Sequence, residues 1–160
     1  MYLLSEYIST QTRHKVILSG EGADELFGGY LYFHNAPDDA AFQEETVRLC
    51  RDVHTHDVLR ADRCTAAHGL ELRVPFFDKS FVDYVLSIDP SLKSPRMDAN
   101  RGVEKMILRE AFRDHLPERI VYRQKNGMSD AVGYDWVDYV RTKCSSITTP
   151  APGTFAANEP

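Results

Sequence analysis

The sequence predicts an α/β chain that is mostly α-helical, and two observations carry that prediction. The run at residues 14–18, His-Lys-Val-Ile-Leu, is short, apolar and β-branched, and it stops at Ser19-Gly20. That is the profile of a buried sheet strand closed by a turn. Most apolar residues elsewhere recur three or four positions apart, the period of an amphipathic helix.

Residues 1–12 read as a helix with Leu3, Leu4, Tyr7 and Ile8 on one stripe. The pattern is already running at Met1-Tyr2-Leu3-Leu4, with no capping residue before it. After the strand, Ala23-Asp24-Glu25-Leu26-Phe27 opens a helix that Gly28-Gly29 ends or bends. Beyond the Pro37-Asp38-Asp39 turn, helices are expected over residues 40–53 and 56–68, the second with Val58, Leu59, Ala61, Ala66 and Ala67 on its small-residue face. Arg73-Val74 must be extended ahead of Pro75. Asp78 is the expected N-cap of a helix over residues 80–88, which stops before Pro90. Residues 89–101 read as a loop. Val103, Ile107, Leu108, Ala111 and Phe112 then mark an amphipathic helix ending near His115, before Pro117. Ile120-Val121-Tyr122 is a short apolar run, residues 125–133 a polar loop, and residues 134–143 a last helix. One strand thus precedes about five helices. A single strand makes no sheet, so its partners are expected outside this chain, or else the strand is left unpaired. Residues 1–144 form the expected folded part, and the Ser-, Thr-, Pro- and Ala-rich residues 145–160 an expected disordered tail.

Composition narrows the function classes. With 42% hydrophobic and 27% charged residues among 160, the chain has the make-up of an ordinary globular protein. A net charge of −5 excludes a general nucleic-acid binder, which needs a basic face for phosphates. No apolar run is long enough to span a membrane, and no basic-then-apolar leader stands at the start. Cys50, Cys64 and Cys144 are widely spaced and odd in number, the pattern of reduced thiols in a cytoplasmic protein. His54-x-His56-Asp57 has the outline of a metal motif but lacks a third ligand at fixed spacing.

The most informative stretch is Ser19-Gly20-Glu21-Gly22-Ala23-Asp24-Glu25-Leu26-Phe27-Gly28-Gly29-Tyr30. A strand–loop–helix junction offers free backbone N–H groups and a helix dipole to an anion, and glycines let the backbone approach a phosphate closely. It is neither a G-x-G-x-x-G fingerprint, since Glu25 stands where glycine is needed, nor a Walker A loop. Glu21 and Asp24 would repel a phosphate directly. They make sense with a bridging Mg2+ or in a non-phosphate role; a tight turn with solvated acids is the competing reading.

This stretch is similar to the S-G-E-G-[SA]-D-E-x-F-G-G-Y segment of the asparagine synthetase family. Leu59-Arg60-Ala61-Asp62-Arg63, residues 67–76 (Ala-His-Gly-Leu-Glu-Leu-Arg-Val-Pro-Phe), Glu104-Lys105-x-Ile107-Leu108-Arg109-Glu110 and Tyr122-Arg123-Gln124-Lys125 also resemble it, as does Ser129-Asp130-x-x-Gly133. The likeness runs in order over about residues 1–141. It implies an adenine-nucleotide α-hydrolase-like fold (Rossmann-like, with a PP-loop), of which this chain would be the C-terminal portion. The implied activity is a carbon–nitrogen ligase that uses ATP to activate aspartate as β-aspartyl-AMP and then admits glutamine-derived ammonia.

Carried over by motif, the resemblance implies ATP contact for Ser19 and Gly20, and a hold on Mg2+ through pyrophosphate for Asp24. For Glu21 it implies adenylate formation or deprotonation of the incoming ammonium, and for Lys125 stabilisation of charge on the phosphates. Arg73 is a candidate carboxylate clamp, or a partner of Glu71 or Asp78. Arg109 and Glu110 read as an ion-paired helix face, His68 as structural, and Tyr30 as an aromatic capping the helix end or else lining the site. The family's glutaminase domain and its S-G-G-x-D-S pyrophosphate loop have no counterpart in these 160 residues. The expectation is half an active site, completed by a separate N-terminal half or a homo-oligomer; the alternative is a truncated non-catalytic remnant or an incomplete gene model, acting at most as an interaction module. Asn126-Gly127-Met128 departs from the family's more acidic, aromatic pattern.

Overall fold

The structure, a computed structural model, describes residues 1–95, 102–127 and 135–147. Two compact units divide the chain, residues 1–125 and 126–160.

In the first unit, α1 (Tyr2–Gln11) leads into β1 (Val16–Leu18), and β1 pairs in parallel with β2 (Glu71–Arg73). The register sets Val16 against Glu71, Ile17 against Leu72 and Leu18 against Arg73. The backbone pairing extends at both ends, where Glu71 N–H donates to the Lys15 carbonyl and Ser19 N–H to the Arg73 carbonyl. The partner expected outside the chain is therefore inside it. Glu71-Leu72-Arg73 is too short and too polar to announce itself by alternation, and only the constraint from Pro75 hints at extended backbone there. Nor is β1 buried as its composition suggests: Val16 is 48% exposed and Leu18 72%.

A tight turn joins β1 to the single-turn helix α2 (Ala23–Leu26). Gly22 enters it at φ +100°, where a Cβ would lie 2.9 Å from the Phe77 ring, so the position demands glycine. Leu26 and Phe27 then drop into the core beside Val85, with Phe76, Phe81, Ile107 and Leu108 packed around them. Gly28, at φ +61°, turns the chain back beneath Phe42, whose ring would stand 2.5 Å from a Cβ there. A 3-10 turn (Leu31–Asn35) sends Phe33 against Phe42, both fully buried.

α3 (Asp39–Asp52) starts where Asp38 accepts from Ala41 N–H, and α4 (Asp57–Ala66) packs on β2 and α1. α5 (Lys79–Ser87) carries the cap that the sequence predicts: the Asp78 carboxylate accepts from the N–H groups of Ser80 and Phe81. Residues 89–95 are not all loop. Asp89 caps a one-turn helix, α6 (Pro90–Lys93), with proline at its first position. The helix expected over 103–115 is shorter, α7 (Met106–Ala111) followed by a 3-10 turn (Arg113–His115), because Lys105 adopts a left-handed backbone just before it. α8 (Glu118–Val121) follows Pro117 and buries Val121. An apolar cleft of about 410 Å3 opens between α5 and α7.

In the second unit, α9 (Trp136–Ile147) extends four residues beyond the expected end at Lys143, and an Asp138–Arg141 ion pair lies along it. Met128, Ser129, Asp130 and Gly133 lie outside the described residues, as does the tail from residue 148.

Candidate active site

Three segments distant in sequence converge beyond the C-terminal end of β1. α2 presents Asp24, the left-handed residue ahead of α7 presents Lys105, and the segment after α8 presents Lys125. The Lys105 Nζ donates to Asp24 Oδ1 at 2.9 Å and the Lys125 Nζ to Oδ2 at 2.7 Å, so each carboxylate oxygen takes its own ammonium group. All three side chains are mostly buried, with exposures of 19–23%. Burial pushes the Asp24 carboxyl up, but the hydrogen bonds from Lys125 and Lys105 outweigh it and hold the group below its ordinary range.

The local backbone explains the placement. Gly29 N–H donates to the Asp24 carbonyl at 2.8 Å, and a Cβ on Gly29 would fall 1.9 Å from Asp24 Oδ1. The second glycine of the Gly28-Gly29 pair thus makes room for the carboxylate. Lys105, at φ +57°, is the sole non-glycine with positive φ among the described residues. Such a conformation costs about 1–3 kcal/mol and persists only where its surroundings fix it. Next to it the buried Glu104 takes a 2.9 Å contact from the His34 ring.

A second group adjoins the first. The Lys125 ammonium lies 5.7 Å from the centre of the Tyr30 ring. The Tyr30 hydroxyl donates to the buried Glu25 at 2.5 Å and lies 3.3 Å from Asp57. Arg60 joins Asp57 at 2.8 Å to Glu21 at 3.8 Å. Burial, with Glu25 beside it, raises the Tyr30 hydroxyl above the usual tyrosine range and keeps it a donor. The Glu21 carboxyl is raised as well. Burial leads, Arg60 only partly counters it, and Asp57, Glu25 and Asp24 add to the rise.

Of the residues singled out by sequence, Asp24 and Lys125 therefore meet directly, and Glu21 reaches them through Arg60, Asp57 and Tyr30. Ser19 and Gly20 form the turn between: the Ser19 hydroxyl takes a long 3.4 Å contact from Glu21 N–H, and the Gly20 carbonyl accepts from Ala23 N–H. Nothing lies within 4 Å of where a Gly20 Cβ would be, so this edge of the loop is open. Arg73 is paired with Glu71 at 2.7 Å, one of the alternatives open to it. Glu110 has the expected ion pair, with Arg113, but Arg109 does not share it. Its guanidinium binds main-chain carbonyls of Glu104, Ile120 and Val121 instead. Lys105 and Arg60 lie inside the matched segments with no role attached to either by sequence, and Asp57 stands out there only as a neighbour of two histidines. His54 and His56 make local contacts, to Arg51 and Thr55, and no group of three or more His, Cys, Asp or Glu positioned to hold a metal exists among the described residues.

The family model for asparagine synthase matches residues 1–40 and 35–155, nearly the whole chain. This chain belongs to the asparagine synthase family. Similar curated proteins agree. Asparagine synthetase [glutamine-hydrolyzing] 3 of Arabidopsis thaliana is 51% identical over 142 residues, covering 86% of this chain and 24% of that protein. Asparagine synthetase [glutamine-hydrolyzing] of Triphysaria versicolor is 48% identical over 153 residues, covering 93% and 26%. The nodule asparagine synthetase [glutamine-hydrolyzing] of Pisum sativum is 46% identical over 153 residues, with the same coverage. The chain thus spans about a quarter of the length of the asparagine synthetases it matches. Within this family segment the fold is mostly helical with a small parallel sheet, and no described helix is long and apolar enough to cross a membrane.

Proposed function

We propose that this chain carries the C-terminal part of the synthetase domain of a glutamine-hydrolysing asparagine synthetase, within a Rossmann-like, PP-loop fold. In this reading ATP and aspartate are its substrates, and ammonia released from glutamine is its nitrogen source. The aspartate side-chain carboxylate attacks the α-phosphorus of ATP, forming an acyl phosphate bond and releasing pyrophosphate. Ammonia then attacks the acyl carbon, and AMP leaves with the former carboxylate oxygen. The observation that carries the reading is the Asp24 carboxylate flanked by Lys105 and Lys125 at the mouth of a strand–loop–helix turn.

Each residue has a task in that scheme. Lys125 and Lys105 are cations already gathered on one carboxylate, and they would transfer their hydrogen bonds to the departing pyrophosphate. Asp24 holds them in register until the phosphates arrive. Glu21, with its raised carboxyl, is suited to take a proton from the incoming nitrogen. Ser19 and Gly20 offer the open edge of the turn to the nucleotide. Mg2+ fits here only as an ion brought by the phosphates of ATP. Both Asp24 oxygens are in ion pairs and no protein cluster gathers around them, yet one carboxylate plus phosphate oxygens is a usual Mg2+ set. Bound there, it would neutralise charge on the β- and γ-phosphates. We place the protein in the cytoplasm. The phosphate-gripping loop comes, in this reading, from a separate N-terminal half or a further copy.

The test is aspartate-dependent AMP and asparagine formation from ATP and ammonium, measured in a protein that joins this chain to the remainder of the synthetase. Lys125→Ala is expected to lower turnover roughly 100- to 1000-fold, the loss typical of one preorganised charge-stabilising donor. Unchanged asparagine synthesis would sink the assignment.

A further inference from the structure

We propose that Arg109 is the positioning residue of this site, setting Lys105 and Lys125 on opposite oxygens of Asp24. The proposal rests on the reading of the three-residue cluster given above and deepens it. Lys105 and Lys125 belong to segments that share no helix or strand: one precedes α7, the other follows α8. Something must fix the distance between them. The Arg109 Nε donates to the Glu104 carbonyl at 2.7 Å, on the peptide that leads directly into Lys105. Its Nη1 donates to the Val121 carbonyl, with Ile120 further off at 3.4 Å, in the turn four residues ahead of Lys125. One planar guanidinium thus ties both lysine-bearing segments together.

The side chain is chemically particular to this task. A guanidinium presents donors in a rigid fork that can bind two separate acceptors at fixed spacing, whereas an ammonium group is a single point on a flexible stem. Among the described residues the hydrogen bonds of Arg109 go to main-chain carbonyls, so its binding energy is directed to backbone position. The bond to Glu104 also bears on the strained left-handed backbone of Lys105, the next residue. On the other side of Glu104, the His34 contact holds that residue's side chain. The carbonyl and carboxylate of Glu104 are therefore anchored independently.

The experiment is competitive amine labelling of the full 160-residue chain with acetic anhydride, read lysine by lysine by mass spectrometry. In the unsubstituted chain Lys105 and Lys125 should label slowly, and Asp24→Asn should release both. If Asp24→Asn changes neither, the ion-pair cluster itself fails, whatever Arg109 does. With the cluster established, Arg109→Gln should speed labelling of Lys105 and Lys125 together by about tenfold, the equivalent of one charge-assisted hydrogen bond. Lys93, which is fully buried, should stay protected and reports that the fold is intact. Arg109→Lys should restore at most one of the two lysines, and Arg113→Gln, on the Glu110 pair, neither raises nor lowers either rate. Equal labelling in Arg109→Gln and Arg113→Gln would overturn the proposal. So would exposure of Lys93 in both Arg109 variants, since Arg109 would then hold the fold rather than the site.

Discussion

Asp24 is surrounded by two ammonium groups and a glycine that leaves it room, and this makes its charge a stability element. Its carboxyl is held below the value of 3.8 it has in an unfolded chain. A depressed carboxyl contributes stability above the unfolded value and loses it as pH falls through the folded one. Asp24→Asn should therefore melt several degrees lower than the parent at pH 7, with the gap closing in strong acid, where both carry a neutral group. Thermal melts followed by circular dichroism across that range decide it. Glu21 has the opposite sign, because its carboxyl is raised. Its charge disfavours the fold at neutral pH, so Glu21→Gln should melt no lower than the parent there. Asp24, Glu21 and Lys125 were named as candidates in the sequence because each lies in a segment that resembles the family. Lys105 was not, since its place beside Asp24 depends on a left-handed backbone that no spacing rule announces.

Helix caps show which elements a sequence declares openly. Asp78 was readable because cap, apolar period and length agree; Asp38 was read only as part of a turn, and α6 is one turn long and carries only the Asp89-Pro90 signal. That short helix nevertheless delivers Lys93 into full burial, where its ammonium donates to the Val85 carbonyl at 2.8 Å and to Gln43 at 3.2 Å. Gln43 in turn donates to Leu86, so α3, α5 and α6 meet at the C-terminal end of α5, a favourable place for a cation. Burial pushes the Lys93 group down to about 8 from an unfolded value of 10.5. Between those values the unfolded chain binds the extra proton, so raising pH favours the fold. The parent should gain stability over that interval relative to Lys93→Met. Urea midpoints of the two proteins at pH 7.5 and 10 measure the difference, and a constant gap would contradict the buried-lysine account. The second strand is the element the sequence hid most completely, because three residues give alternation no room to show.

Among the described residues several large apolar side chains stand exposed: Leu3, Leu4 and Tyr7 on α1 are 77%, 62% and 63% exposed, and Val16 and Leu18 lie open on β1. Exposed apolar side chains in such number favour association between chains. The chain is expected to self-associate with concentration, and Leu18→Lys to weaken that association. Sedimentation velocity over a dilution series tests it, and a monomer at every concentration would refute it. The apolar stripe and strand were plain in the sequence, but their exposure was not, since an apolar β-branched run reads as a buried strand.

The two ion pairs of the site close very long loops. Asp24 stands 101 positions from Lys125 and 81 from Lys105. Joining ends that far apart costs on the order of 4 kcal/mol of chain entropy, more than partly exposed ion pairs return. The pairs therefore form only after the core around Leu26, Phe27 and Val85 has already brought the segments together. During synthesis on the ribosome, Asp24 emerges long before either lysine. A nascent chain carries the acid through 81 further residues before Lys105 is added and 101 before Lys125, so the carboxylate spends much of synthesis without its full set of counter-ions.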